Sequence, residues 1–194
     1  MTTTRLCTTA CLATLLLAAS GIALAESVNY AVEPTHTYVT FEARHFGTST
    51  NRGRFDKKEG SITLDRAAKT GRADITIDTA SISSGLALFD SHLRGDNFLR
   101  VKEFPTAKFV GDKFSFDGDK VSAVSGTLTL LGKTQPITLN AAHFNCYDNP
   151  MLKREVCGGD FEATLQRSAY GMTYGLPGIP DSVKLVIQIE AVRQ

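Results

Sequence analysis

The residue types most able to do chemistry crowd into one stretch, Phe89 to Pro105, which reads FDSHLRGDNFLRVKEFP. Asp90 stands two positions before His92, among Phe89, Leu93, Phe98 and Phe104. A carboxylate beside an imidazole is raw material for general acid–base catalysis, which needs the two groups within hydrogen-bond reach. The stretch reads as helical, however, and positions two apart on a helix do not face each other. The spacing therefore predicts Asp90 as a helix N-cap, with Asp96 capping a further turn. His92 and Arg94 become polar surface or hinge groups, and Leu93, Phe98 and Phe104 the inner surface of a lid or plug. No nucleophile elbow, glycine-rich phosphate loop or H-E-x-x-H pair occurs elsewhere. His36, His45, His92 and His143 are scattered, without metal-ligand spacing. No catalytic residue, metal ligand or required cofactor is assigned.

The cysteines carry a different message. Arg5, the apolar run Leu12 to Leu24 and the small residues before Ala25 have the form of a secretory signal peptide, with cleavage between Ala25 and Glu26. The run is shorter than the roughly 20 apolar residues that span a bilayer. Residues 1–25 are thus read as a leader and 26–194 as one domain. Loss of Arg5 takes the 21 basic residues to 20, equal to the 20 acidic ones. A balanced charge gives no electrostatic reason to expect nucleic acid as partner. Cys7 and Cys11 leave with the leader, and the remaining pair, Cys146 and Cys157, is expected to form a disulfide at the base of a loop. The expected compartment is the periplasm, with secretion as the alternative.

The elements that must position these groups are strands. Val39, Phe41 and Ala43 alternate with polar neighbours, as do Ile75 and Ile77, Phe161, Ala163 and Leu165, and Val183 to Ile189. Asp117-Gly118 marks a tight hairpin. Strands are expected near 28–33, 37–46, 60–66, 72–79, 107–116, 120–131, 135–146, 159–168 and 182–193, with a short helical insertion at about 86–104. The fold class is all-β, an antiparallel barrel or sandwich of eight or nine strands. A barrel of about eight strands encloses packed side chains or one small ligand. With 11 Phe, no Trp, and Ala and Gly among the apolar faces, both a slot and a filled core remain open. His45 continues the inward register of Val39, Phe41 and Ala43. It either points into the barrel mouth, or is satisfied by backbone, or is turned outward by a bulge.

Several segments together resemble the YceI-like family of polyisoprenoid-binding proteins: EPTHTYVTF at 33–41, RHFG at 44–47, RGRF at 52–55, ASISSG at 80–85, DSHLRGDNF at 90–98, EFPTAKF at 103–109, SGTLTLLGKTQPITL at 125–139 and QRSAYGM at 166–172. Glu33 stands where Asp is usual, Phe89 where Arg is common, and the Cys146–Cys157 region looks like an addition. The resemblance covers nearly the whole mature chain. It implies a lipocalin-like barrel whose interior binds a long isoprenoid chain, an isoprenoid quinone or a polyprenyl carrier, in the periplasm. It also implies a cytochrome b561-type membrane protein as a partner. On the inner face the ligand-contact candidates are Val39, Phe41, His45, Phe109, Leu128, Phe161, Leu165 and Ile187. Leu93 and Phe98 from the insertion and Met172 from the segment Tyr170 to Pro180 join them; that segment is either an adjustable rim or a plain connecting loop. The state is a monomer or homodimer. Competing readings are an enzyme acting on a lipid head group through His45, His92 or Asp90, and a filled-barrel interaction protein.

Overall fold

The structure is a computed structural model and describes residues 27–194. The leader expected over 1–25 and its Ala25–Glu26 junction lie outside the described residues. The strands are β1 (Val28–Val32), β2 (Tyr38–His45), β3 (Ser49–Phe55), β4 (Lys58–Asp65), β5 (Thr70–Asp78) and the two-residue β6 (Ile82–Ser83). One helix, α1 (Ala87–Arg94), follows, and then β7 (Thr106–Asp117), β8 (Lys120–Leu130), β9 (Lys133–Asn149), β10 (Arg154–Gln166) and β11 (Ser182–Arg193). Every pairing is antiparallel.

Eight strands close a barrel in the order β1-β4-β5-β7-β8-β9-β10-β11, with β11 pairing back onto β1. The closure is forked. β1 is short and meets only the end of β11, Val32↔Ala191 to Tyr30↔Arg193. The earlier part of β11, Lys184 to Gln188, pairs instead with β2, which carries β3 and β6 outward as a flap. A 12-residue strand thus serves two partners in succession, leaving one end of the barrel splayed. The connections 46–48, 79–105, 131–132 and 167–181 all gather at that end. Gly111 and Gly126 face each other where β7 shifts register against β8. A Cβ on Gly126 would run into the Val110 carbonyl, so this kink requires a residue without a side chain.

Three expectations are corrected here. β3 was not anticipated: STNRGRF lacks apolar alternation, because on its inward face only the last residue, Phe55, is apolar, and Gly53 stands where a Cβ would be 2.6 Å from the Phe41 ring. The strands around the cysteines run further than expected, to Asn149 and from Arg154, leaving a turn of only four residues. Cys146 and Cys157 are therefore directly opposed rungs of the β9–β10 ladder, with Cα atoms 4.1 Å apart and the disulfide formed. Asp90 is not the N-cap. Leu86 takes that position without a side-chain bond, and Asp90 lies in the first turn of α1. From there its carboxylate accepts the Ser84 N–H and hydroxyl, both at 2.6 Å, tying the incoming chain to the helix.

Candidate functional site

The inner faces of the strands enclose two apolar cavities, one after the other along the barrel. The deeper one, about 110 Å³, is walled by Val39, Ile75, Phe109, Leu128, Phe161 and Ile187 among others. The second, about 120 Å³, lies toward the splayed end and is walled by Phe41, Leu93, Phe98, Leu165, Met172 and Leu185 among others. Their relation follows from the period of two that puts alternate residues on one face. Along β2 the wall passes from Val39 to Phe41, along β8 from Leu128 to Leu130, and along β11 from Ile187 to Leu185. Consecutive inward residues of the same strands line both spaces, so they form one apolar axis. Ala163 is buried on β10 between Phe161, which walls the deeper cavity, and Leu165, which walls the outer one, so its small side chain marks the step from one to the other.

Ten of the eleven expected contact residues line these walls. Val39, Phe109, Leu128, Phe161 and Ile187 meet in the deeper cavity, and Phe41, Leu93, Phe98, Leu165 and Met172 in the outer one. His45 does not. β2 stays paired to β11 only up to Glu42, so the end of β2 stands beyond the barrel wall and His45 is exposed, edge-on to Phe46. The Asp90–His92 pair is separated as the helical spacing requires. Asp90 is buried and held by Ser84, whose two bonds keep its carboxyl below the usual range. His92 is exposed and stacks against Phe98 and Tyr174, with ring centres 5.0 and 5.7 Å apart. Among the described residues a Cys146–Glu155–Cys157 cluster has metal-binding types, but both thiols are spent in the disulfide.

Polar groups at the walls are few and mostly occupied. In the deeper cavity, the Tyr30 hydroxyl donates to Glu155 Oε1 at 2.5 Å, and Thr37 exchanges bonds with the Glu190 backbone at 3.2 and 3.1 Å. Burial, then the bond to Glu155, pushes the Tyr30 hydroxyl up to about 12. Lys58 contributes its methylene stem to the wall while its ammonium lies 4.3 Å over the Tyr38 ring and donates to the Asp56 carbonyl at 3.3 Å. Burial pulls its pKa down.

The outer cavity has one charged wall residue, Arg167, which is 3% exposed. Its guanidinium donates from Nε to the Pro180 carbonyl at 2.9 Å, from Nη1 to Met172 at 2.9 Å and from Nη2 to Ile179 at 2.8 Å. Desolvation lowers its pKa, offset in part by Asp181. Asp181 in turn accepts the Ser168 N–H at 2.7 Å and hydroxyl at 2.6 Å. The segment Tyr170 to Pro180 is therefore a rim pinned to the wall at three carbonyls.

A YceI-like domain matches residues 30–191. The chain belongs to the YceI-like family. A UPF0312 protein of Pectobacterium carotovorum is 32% identical over 180 residues, covering 92% of this chain and 93% of that protein. The protein YceI of Salmonella arizonae matches at the same identity and coverage. Among solved structures, the YceI protein of Campylobacter jejuni superposes with a TM-score of 0.69 at 21% identity, covering 94% of this chain and 99% of that one. A polyisoprenoid binding domain from Saccharophagus degradans gives 0.63 at 16% identity, covering 86% and 99%. Both show that the splayed eight-strand barrel is the fold of this YceI-like chain.

Arg167 is the site residue that residue-by-residue reading missed. Its signal was present in the QRSAYGM segment, but nothing in an isolated Arg tells a wall clamp from a surface charge. Ile82, Leu99 and Ile179 also line the outer cavity; Ile82 sits in a two-residue strand and the other two in irregular segments, where no period marks an inward face.

Proposed function

We propose that this YceI-like protein binds a long-chain isoprenoid lipid along the barrel axis and acts as an exported carrier, store or chaperone for it. The observation that carries the reading is the pair of apolar cavities lined by successive inward residues of the same strands. Burying a methylene is worth about 0.8 kcal/mol, so a five-carbon prenyl unit contributes about 4 kcal/mol. Four units, about 16 kcal/mol, exceed the roughly 4–15 kcal/mol that association costs. The solved neighbour described as a polyisoprenoid binding domain supports the ligand class, and the disulfide supports export. An isoprenoid quinone and a polyprenyl carrier both fit such walls. A quinone ligand would connect the protein to a membrane redox partner of the cytochrome b561 type. His45 and His92 face solvent, and Asp90 is engaged by Ser84, which favours binding over head-group chemistry.

Uptake by delipidated protein tests this. An isoprenoid quinone dispersed from ethanol is expected to co-elute with the protein and raise its thermal midpoint, and His45→Ala and His92→Ala should leave uptake intact. Failure of any prenyl lipid to bind, with the barrel folded, would refute the reading.

A further inference from the structure

The splayed end carries apolar side chains with nothing over them. Phe46 is 63% exposed, Leu86 61%, Leu88 79%, Tyr174 48% and Leu176 37%. Their placement around the outer cavity can be traced contact by contact. The Phe46 ring rests on Gly178, beside Ile179 of the cavity wall, and the Phe46 N–H donates to the Gly178 carbonyl at 3.1 Å. Tyr174 stacks on Phe98, a wall residue, at 5.6 Å, and on His92 at 5.7 Å. Leu88 lies one turn before His92 on the same face of α1. Leu176 belongs to the rim that Arg167 pins. The patch therefore surrounds the mouth of the outer cavity and is continuous with its walls.

Charge at this end has a sign. Arg44, two residues before Phe46, and Lys133, whose Nζ lies beside Gly171 of the rim, are exposed and have no carboxylate within 4.0 Å among the described residues. The nearby acids are offset by cations: Glu103 pairs with Arg100, and Asp90 and Asp181, held ionised by Ser84 and Ser168, lie in the fields of Arg94 and Arg167. Asp96 is left exposed without a cation partner. Apolar residues at the centre with cations at the edge match the surface of a bilayer containing anionic lipid. Scattered exposed hydrophobes need no explanation, but a group around the mouth of an apolar cavity does.

We infer that the splayed end docks onto a lipid bilayer, with Phe46, Leu88 and Leu176 entering its interfacial layer, and that ligand passes between membrane and barrel there. The inference rests on the proposed lipid ligand and adds the partner from which it is taken. The opposite end provides an internal control, because Met151 (86% exposed) and Leu152 (47% exposed) occupy the β9–β10 turn at the far side of the barrel.

Co-sedimentation with vesicles of phosphatidylethanolamine and phosphatidylglycerol, three to one, tests the docking. The parent protein is expected to pellet with these vesicles and less with pure phosphatidylcholine. The combined variant Phe46→Asp, Leu88→Asp, Leu176→Asp should bind at least roughly tenfold more weakly, whereas Met151→Asp, Leu152→Asp should bind as the parent does. Both variants should keep the parent thermal midpoint, since none of these residues walls a cavity. Uptake of quinone dispersed from ethanol, without vesicles, should persist in the combined variant. That arm reads the ligand proposal separately, so either idea can fail alone. Equal vesicle binding by parent and combined variant would overturn the docking, as would absence of parent binding. So would gel filtration showing a parent dimer that the combined variant dissolves, because a second copy would then cover the patch.

Discussion

Arg167 carries a full charge at an apolar wall and meets three backbone carbonyls rather than a carboxylate. A hydrogen bond to a charged group is worth about 1.5–3 kcal/mol when broken, and the three act together on one rim. Arg167→Met should therefore lower the unfolding free energy by about 2–4 kcal/mol in denaturant titration and weaken lipid retention. Arg167→Lys should not restore either, because one ammonium cannot reproduce a planar fork with three fixed directions. Tyr30 supplies a pH dependence. Its hydroxyl is raised to about 12 in the fold from the usual 10.0, so the protonated form is favoured when folded. The stability it contributes is fully present below pH 10 and lost as pH rises toward 12. Thermal melts across that window should show Tyr30→Phe losing less stability than the parent, by on the order of 2 kcal/mol. Identical pH profiles would contradict the assignment. At this scale the sequence was legible wherever residues alternate: Val39, Phe41, Phe161 and Leu165 face inward as their period requires. His45 follows the same period and fails, because alternation persists past the point where a strand leaves its sheet.

The elements show where local pattern and tertiary pairing part company. β9 and β10 were readable from their apolar alternation, but their ends were hidden because the last paired rungs, Asp148↔Glu155 and Asn149↔Arg154, are polar on both sides. The opposed Cys146–Cys157 rungs close a loop whose cysteines are 11 positions apart. In the chain-entropy model that is worth about 3 kcal/mol. Replacing both cysteines with Ser should lower the unfolding free energy by about 2–3 kcal/mol, and dithiothreitol should do the same to the parent but not to the double variant. A parent insensitive to reduction would show that the far end of the barrel is held by its strands. β3 escaped notice for a related reason. An outer strand with Asn51 and Gly53 on its inward face before Phe55 has little hydrophobic signature, yet the Phe41 ring fills the space over Gly53. That the insertion supplies wall residues was legible in its apolar and aromatic content, while the anchoring of β6 by Arg94, through the Ala80 and Ile82 carbonyls at 2.8 and 2.6 Å, depends on contacts across the turn.

At the scale of the whole molecule, alternation announced a barrel with one apolar face but could not say whether the interior was full. That is a question of volume summed over many strands, and no single strand contains it. The barrel leaves two spaces in line, and Ala163 lies on β10 between the wall residues of one and of the other. If one chain occupies both spaces, Ala163→Phe should obstruct it, at a packing cost of about 1–3 kcal/mol. Long-chain lipid should then bind more weakly than in the parent, whereas a ligand short enough for one cavity should be little affected. Equal loss for both lengths would mean that the cavities work independently. The central claim is that this YceI-like protein holds an isoprenoid along that axis, and native mass spectrometry of protein gently purified from its own compartment tests it most directly. The account predicts a bound mass released on unfolding and identified as a prenyl lipid, reduced in the Ala163→Phe variant. A folded parent that repeatedly arrives without lipid, and takes up none when offered, would contradict it.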